Sequence, residues 1–161
     1  MALRIGQGFD SHPLSSSADR PLVLGGVTIP GSPGLVGHSD ADVVTHALAD
    51  AILGAIGRGD LGRHFPDTDP RWAGADSLRL LAAVVDMASA DGWAVINADC
   101  TVIAQRPMLA PHTAEMASRL GEVVGGPVSI KATRPEGLGA LTDGMAALSV
   151  VLLEASSAEG D

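Results

Sequence analysis

The sequence has 161 residues, enough for one domain with a substantial core. Hydrophobic residues make up 46% of it, yet with two Phe, two Trp and no Tyr that core must be aliphatic, which favours further burial between subunits. A formal charge of −9, ten basic residues and a single lysine, Lys131, exclude the clustered cations that nucleic acid or an anionic membrane surface requires. A phosphate-bearing substrate would then need bound cations to supply local positive charge.

In chain order, Met1 to Gly6 lacks the apolar run of a signal peptide. Arg4 to Phe9 reads as a strand, and in the extended segment Asp10-Ser11-His12 the outer two residues point the same way. Pro13 to Pro21 is a polar loop. Leu22-Val23-Leu24 and Val27-Thr28-Ile29 flank Gly25-Gly26, a hairpin signal. After the Gly/Pro loop Pro30 to Gly37, Ser39 or Asp40 is the expected N-cap of a helix that ends near Gly57, with residues 42, 46 and 50 on one polar side. Arg58 to Ala75 is a long loop rich in Asp, Pro and Gly, and Asp76 to Ala90 a second helix. From Asn97 the chain alternates, with Ala98, Cys100, Val102 and Ala104 on one face. Cys100, the lone cysteine, reads as packing and has no disulfide partner. A helix over Pro111 to Val124 breaks at Gly125-Gly126-Pro127, and Val128 to Thr133 alternates again. A last helix is expected over Asp143 to Ala155, before a frayed tail, residues 156–161. Its apolar run, Met145 to Leu153, is too short to span a bilayer, so a cytoplasmic protein is expected. The fold class is α/β (α+β): one domain over residues 1–155, a small mixed sheet with helices packed on one face.

Three segments carry chemistry. Asp10, His12 and His46 make one carboxylate and two imidazoles, a set suited to zinc with an open fourth position; the alternative is an exposed Asp-x-His beside an unrelated helical His. His38-Ser39-Asp40 stands at a helix start, where a hydroxyl and backbone N–H groups suit an anion; plain capping would explain Ser39 and Asp40 but not His38. Gly59-Asp60-Leu61-Gly62 and Phe65-Pro66-Asp67-Thr68-Asp69-Pro70 put three carboxylates in one loop, which is either functional or a turn-rich surface.

These segments, together with Gly6-Gln7-Gly8-Phe9, Ala104-Gln105-Arg106-Pro107 and Lys131-Ala132-Thr133, follow one another in a familiar order and spacing. From Arg4 to about Leu153 the chain resembles the 2-C-methyl-D-erythritol 2,4-cyclodiphosphate synthase family of the non-mevalonate isoprenoid pathway. The resemblance implies a homotrimer with active sites between neighbouring subunits. It implies Zn2+ held by Asp10, His12 and His46, and a second divalent cation, Mg2+ or Mn2+, at Glu136. The implied reaction is attack of a 2-phosphate on the β-phosphate of a cytidine diphosphate-linked methylerythritol, with CMP leaving. By the same resemblance His38, Thr133 and Arg134 are the expected catalytic positions, and Ser39 a phosphate contact. Asp60, Leu61, Gly62, Phe65, Pro66, Asp67, Thr68 and Asp69 would hold the methylerythritol portion. Ala104, Gln105, Arg106, Pro107, Met108, Leu109 and Ala110 would line a cytosine pocket.

The chain departs from the family's pattern in places. Arg134 stands where a threonine is usual and Met108 where a lysine is usual. In Ala140-Leu141-Thr142-Asp143-Gly144-Met145-Ala146 an arginine and a glutamate of the family's segment have become Asp143 and Met145. These changes keep two rivals open: a paralogue acting on another cytidine diphosphate compound, and a non-catalytic cytidine-nucleotide or metal-binding protein. Asp143 also reads as a cap of the expected last helix.

Overall fold

A computed structural model describes residues 2–17 and 19–156, so the expected tail lies outside the described residues but for Ser156. Four strands form the main sheet: β1 (Leu3–Pro13), β4 (Trp93–Ala104), β5 (Val128–Thr133) and β6 (Gly144–Ala155). Their order is β1-β6-β4-β5, with β4 and β5 parallel and the other pairs antiparallel, so the sheet is mixed. β2 (Pro21–Leu24) and β3 (Val27–Pro33) form a separate hairpin, whose turn residues Gly25 and Gly26 sit at φ 56° and 72°, as a tight two-residue turn needs.

Helices α1 (Val43–Ile56), α3 (Ser77–Ala90) and α4 (Thr113–Val124) cover one face of the sheet; α2 (Leu61–His64) and a 3-10 turn at Pro70–Trp72 lie within the long Asp/Pro loop. α1 is buried nearly all round, between β1 and β6 on one side and α3 on the other. It approaches β1 so closely that a Cβ on Gly6 would fall 1.8 Å from Ala51 O and one on Gly8 1.9 Å from Ala47 O. The two glycines therefore set the distance between the strand that carries Asp10 and His12 and the helix that carries His46.

Two expectations are corrected. Gly144–Ala155 is a strand, not a helix. It lies between β1 and β4, so its neighbours on both sides are chain: Met145, Ala147, Ser149, Val151 and Leu153 face the core. A strand flanked and half-covered in this way reads as one apolar run, which periodicity cannot separate from a buried helix. Asp143 consequently precedes a strand and caps no helix, although Thr142 does close the preceding 3-10 turn through Gly139 O. The N-cap of α1 is Asp42 instead of Ser39 or Asp40. Its fully buried carboxylate accepts from the N–H groups of Val44, Thr45, Gly25 and Gly26 and from the hydroxyls of Thr45 and Ser77, tying α1 to the hairpin turn and to α3.

Among the described residues, no helix covers the second face of the sheet. Register places Leu3, Ile5, Gln7 and Phe9 beside Glu154, Leu152, Val150 and Leu148, and Asn97, Asp99 and Thr101 beyond them. Ile5 is 73% exposed, Leu3 53%, Phe9 50% and Val150 47%. Among the described residues no helix is long and apolar enough to cross a membrane.

Candidate active site

At the C-terminal end of β1, Asp10 and His12 meet His46 of α1. Asp10 Oδ2 lies 3.2 Å from His12 Nε2 and 3.1 Å from His46 Nδ1. Ligand atoms at about 2.0 Å from a tetrahedral ion stand about 3.3 Å from one another, so the donor set and these two distances suit zinc with one position open, and all three ligand atoms lie within 4.8 Å of one another. Burial alone would raise the Asp10 pKa, but hydrogen bonds from His12 and His46 and their charge hold it well below the usual carboxylate range. For His46 burial favours the neutral ring, and the bond to Asp10 with the charges of Asp42, Asp10 and Asp40 outweighs it, raising the pKa.

A cavity of about 510 Å³ opens beside these three residues. His38 and Ser39 line it on the α1 side, and Leu61, Gly62, Phe65, Pro66 and Asp67 on the side of the long loop. The turn that presents Ser39 is bent by Ala41, whose φ of 58° is unusual for a residue with a side chain. Ala41 N–H donates to Ser39 Oγ, and Asp40 accepts from Asp42 N–H and Ser77 N–H. The loop is folded by its own acids. The Asp60 carboxylate caps α2 through Arg63 N–H, and Asp69 caps the 3-10 turn and pairs with Arg71. Phe65 and Trp72 meet edge to face at 5.0 Å and, with Leu80, form the apolar end of the cavity.

The carboxylates of Asp60 and Asp69 are therefore engaged with their own loop, and neither they nor Thr68 line this cavity. A carboxylate outside the sequence reading does: Asp50, one turn beyond His46, accepts from Leu61 N–H at 2.7 Å. Burial, with Asp60 and Asp10 nearby, raises its pKa. The signal for Asp50 was the stripe 42, 46, 50; Trp72 and Leu80 carried no comparable signal.

Ala104 to Ala110 line a second cavity of about 320 Å³ together with Ala132, Thr133 and Arg134. Met108 there is 74% exposed, and Glu136, at φ 49°, follows on the same loop. The two cavities share no lining residue. They belong to opposite edges of the sheet, β1 and β5, separated by β6 and β4. Cys100 lies in the core against Ser149 Oγ at 3.2 Å, its pKa pushed up to about 11 by burial, away from both cavities.

The model of the YgbB family matches residues 3–154. A protein of Geobacillus kaustophilus named 2-C-methyl-D-erythritol 2,4-cyclodiphosphate synthase is 57% identical over 158 residues, covering 95% of this chain and 99% of its own. A solved 2C-methyl-D-erythritol-2,4-cyclodiphosphate synthase in its CDP-bound form superposes with a TM-score of 0.86 at 39% identity, over 94% of this chain and all of that one. The bifunctional IspDF of Campylobacter jejuni superposes with a TM-score of 0.89 at 40% identity over 96% of this chain, which spans 42% of that longer protein.

Proposed function

The chain belongs to the YgbB family, and from that premise we propose that its two cavities, contributed by neighbouring copies, make one active site. The enzyme closes 4-diphosphocytidyl-2-C-methyl-D-erythritol 2-phosphate to 2-C-methyl-D-erythritol 2,4-cyclodiphosphate and releases CMP. The observation that carries this is the convergence of Asp10, His12 and His46, with a ring nitrogen of each histidine 3.1–3.2 Å from Asp10 Oδ2, in the wall of a cavity that His38, Ser39 and the Leu61–Asp67 loop also line.

Zinc at Asp10, His12 and His46 would polarise a phosphate oxygen and lessen repulsion between two anionic groups. The protein's own contribution is placement. Both reacting groups belong to one molecule, so holding them in line replaces a bimolecular encounter. Ser39 and His38 stand where they can donate to phosphate oxygens, and Leu61, Gly62 and Asp67 line the side of the cavity that would receive the methylerythritol hydroxyls. In the second cavity, Ala104 to Ala110 would take cytosine largely through main chain, which tolerates Met108. Thr133 and Arg134 would steady the diphosphate there, with Glu136, two residues further along the chain, as the ligand of a magnesium or manganese ion.

Two features of one chain support assembly as a homotrimer. The half-sites sit on opposite sheet edges, so only different copies can join them. The helix-free face offers Leu3, Ile5, Phe9, Leu148 and Val150 for burial, which an aliphatic core without Tyr makes useful. CMP release from the authentic substrate tests the function directly. His46→Ala should lose both bound zinc and CMP release while melting as a folded protein. Full activity in a zinc-free His46→Ala protein would refute the metal assignment, and no CMP release by the parent would refute the reaction.

A further inference from the structure

We propose that the Ser39 hydroxyl couples the metal-binding histidine to the phosphate site: it accepts from His46 and Ala41, and so has only its own proton to offer to the cavity. The inference rests on the metal reading above. His46 Nδ1 faces Asp10, and its other ring nitrogen, Nε2, lies 3.3 Å from Ser39 Oγ. With Nδ1 given to a metal, the ring proton must be on Nε2, and a metal-bound histidine is ordinarily steadied by what that N–H meets. The nearest acceptor is Ser39 Oγ. Asp40 Oδ1 stands farther off at 3.9 Å, and both Asp40 oxygens are held, one by Asp42 N–H at 3.3 Å and the other by Ser77 N–H at 2.9 Å.

A serine hydroxyl has two acceptor lone pairs and one proton. Ala41 N–H takes one lone pair at 3.3 Å, and His46 Nε2–H takes the other. The first of these bonds is local, a serine hydroxyl accepting from the N–H two residues on, in a turn that buried Ala41 continues at a left-handed φ. What remains is the O–H, and Ser39 lines the cavity. A hydroxyl locked as a donor suits a phosphate oxygen and cannot serve a substrate hydroxyl as acceptor. In the opposite tautomer of His46 the roles reverse: Nε2 is an acceptor, Ser39 donates to it, and the proton is withdrawn from the cavity. Occupying the metal site therefore sets the polarity of Ser39, and by reciprocity an anion on Ser39 tightens the metal.

The test is NMR of protein labelled with ¹⁵N in histidine, zinc-free and zinc-loaded, for the parent and for Ser39→Ala and Ser39→Thr, with zinc affinity from chelator competition. The zinc-loaded parent should show His46 protonated at Nε2 with a ring proton protected from solvent. In Ser39→Ala that proton should exchange at least about tenfold faster and zinc bind about 10–100-fold more weakly. Ser39→Thr should restore both. Calorimetry with CDP should show zinc tightening the nucleotide in the parent by a factor that falls about fivefold or more in Ser39→Ala. Zinc-free melting of parent and Ser39→Ala should coincide, which separates the effect from a folding defect. Proton on Nδ1 in the zinc-loaded parent, or unchanged exchange and zinc affinity in Ser39→Ala, would overturn the proposal. A parent that binds no zinc would overturn the metal reading and this inference with it.

Discussion

Gly8→Ala should damage the metal site from two residues away. The added Cβ would fall 1.9 Å from Ala47 O and 2.7 Å from Ala51 N, both backbone atoms of α1 that cannot rotate aside. Contacts of a Cβ below 3.0 Å essentially do not occur, so strand and helix must part by about 1.1 Å, the difference between 3.0 and 1.9 Å. Asp10 lies on that strand and His46 immediately before Ala47, so their 3.1 Å separation would open to near 4 Å, too wide for one tetrahedral ion. Overpacking of this kind costs about 1–3 kcal/mol in itself. Zinc at a hundredfold excess over its dissociation constant stabilises the parent by about 2.7 kcal/mol. In a domain of this size that is a shift of roughly 5–10 °C in melting temperature. Melting scans with zinc and with chelator separate the two effects: Gly8→Ala should melt lower in chelator and gain little from zinc. Gly54→Ala is the control on the same interface, since its Cβ would meet Gln7 O at an ordinary 3.8 Å; it should melt at or above the parent and keep the full zinc shift. A Gly8→Ala protein with a zinc shift as large as the parent's would refute the argument from strand–helix distance.

Asp50→Asn should trade function for stability. The raised pKa means that the folded protein loses stability as pH rises from the unfolded value of 3.8 through the folded one, so the variant should melt above the parent at pH 7 and match it below pH 3.8. Its kcat/KM should fall while CDP, which lacks the methylerythritol portion, binds as before; a variant that melts no higher at neutral pH would contradict the sign. Val150→Glu, at the centre of the helix-free sheet face between Gln7 and Asp99, should scatter light as single chains where the proposed trimer predicts three-chain particles for the parent. Zinc content should survive, because the ligands come from one chain, and CMP release should vanish. A monomeric variant with parent-like turnover would disprove the shared site.

Where a segment's environment repeats its own pattern, the sequence was enough. β4 has one core face and one outer face, and the alternation Ala98, Cys100, Val102, Ala104 is the core face as observed. The hairpin was legible because Gly25-Gly26 supplies two left-handed residues in a row. β6 was not legible: Ala146, Ala147 and Leu148 favour a helix on their own, and the pairing with β1 and β4 that overrides them is made with residues distant in sequence. The cap of α1 failed for a similar reason. Ser39, Asp40 and Asp42 are all good caps locally, and Asp42 wins because the hairpin turn and Ser77 add donors that no local rule contains.

The site divides along the same line. Asp10 and His12 share a strand face, and His46 shares a helix face with Asp50, so each pair is written in the period of its own element. That the two pairs meet depends on Gly6 and Gly8, whose absent side chains let α1 settle on β1. The long loop contains the opposite lesson. Its three acids look alike in sequence, but two of them, Asp60 and Asp69, are occupied in capping the loop's own turns, which leaves Asp67 facing the cavity beside Asp10 of β1 and Asp50 of α1. An acidic loop can thus be rich in carboxylates because it must fold, so its count of acids alone does not say which of them faces the cavity.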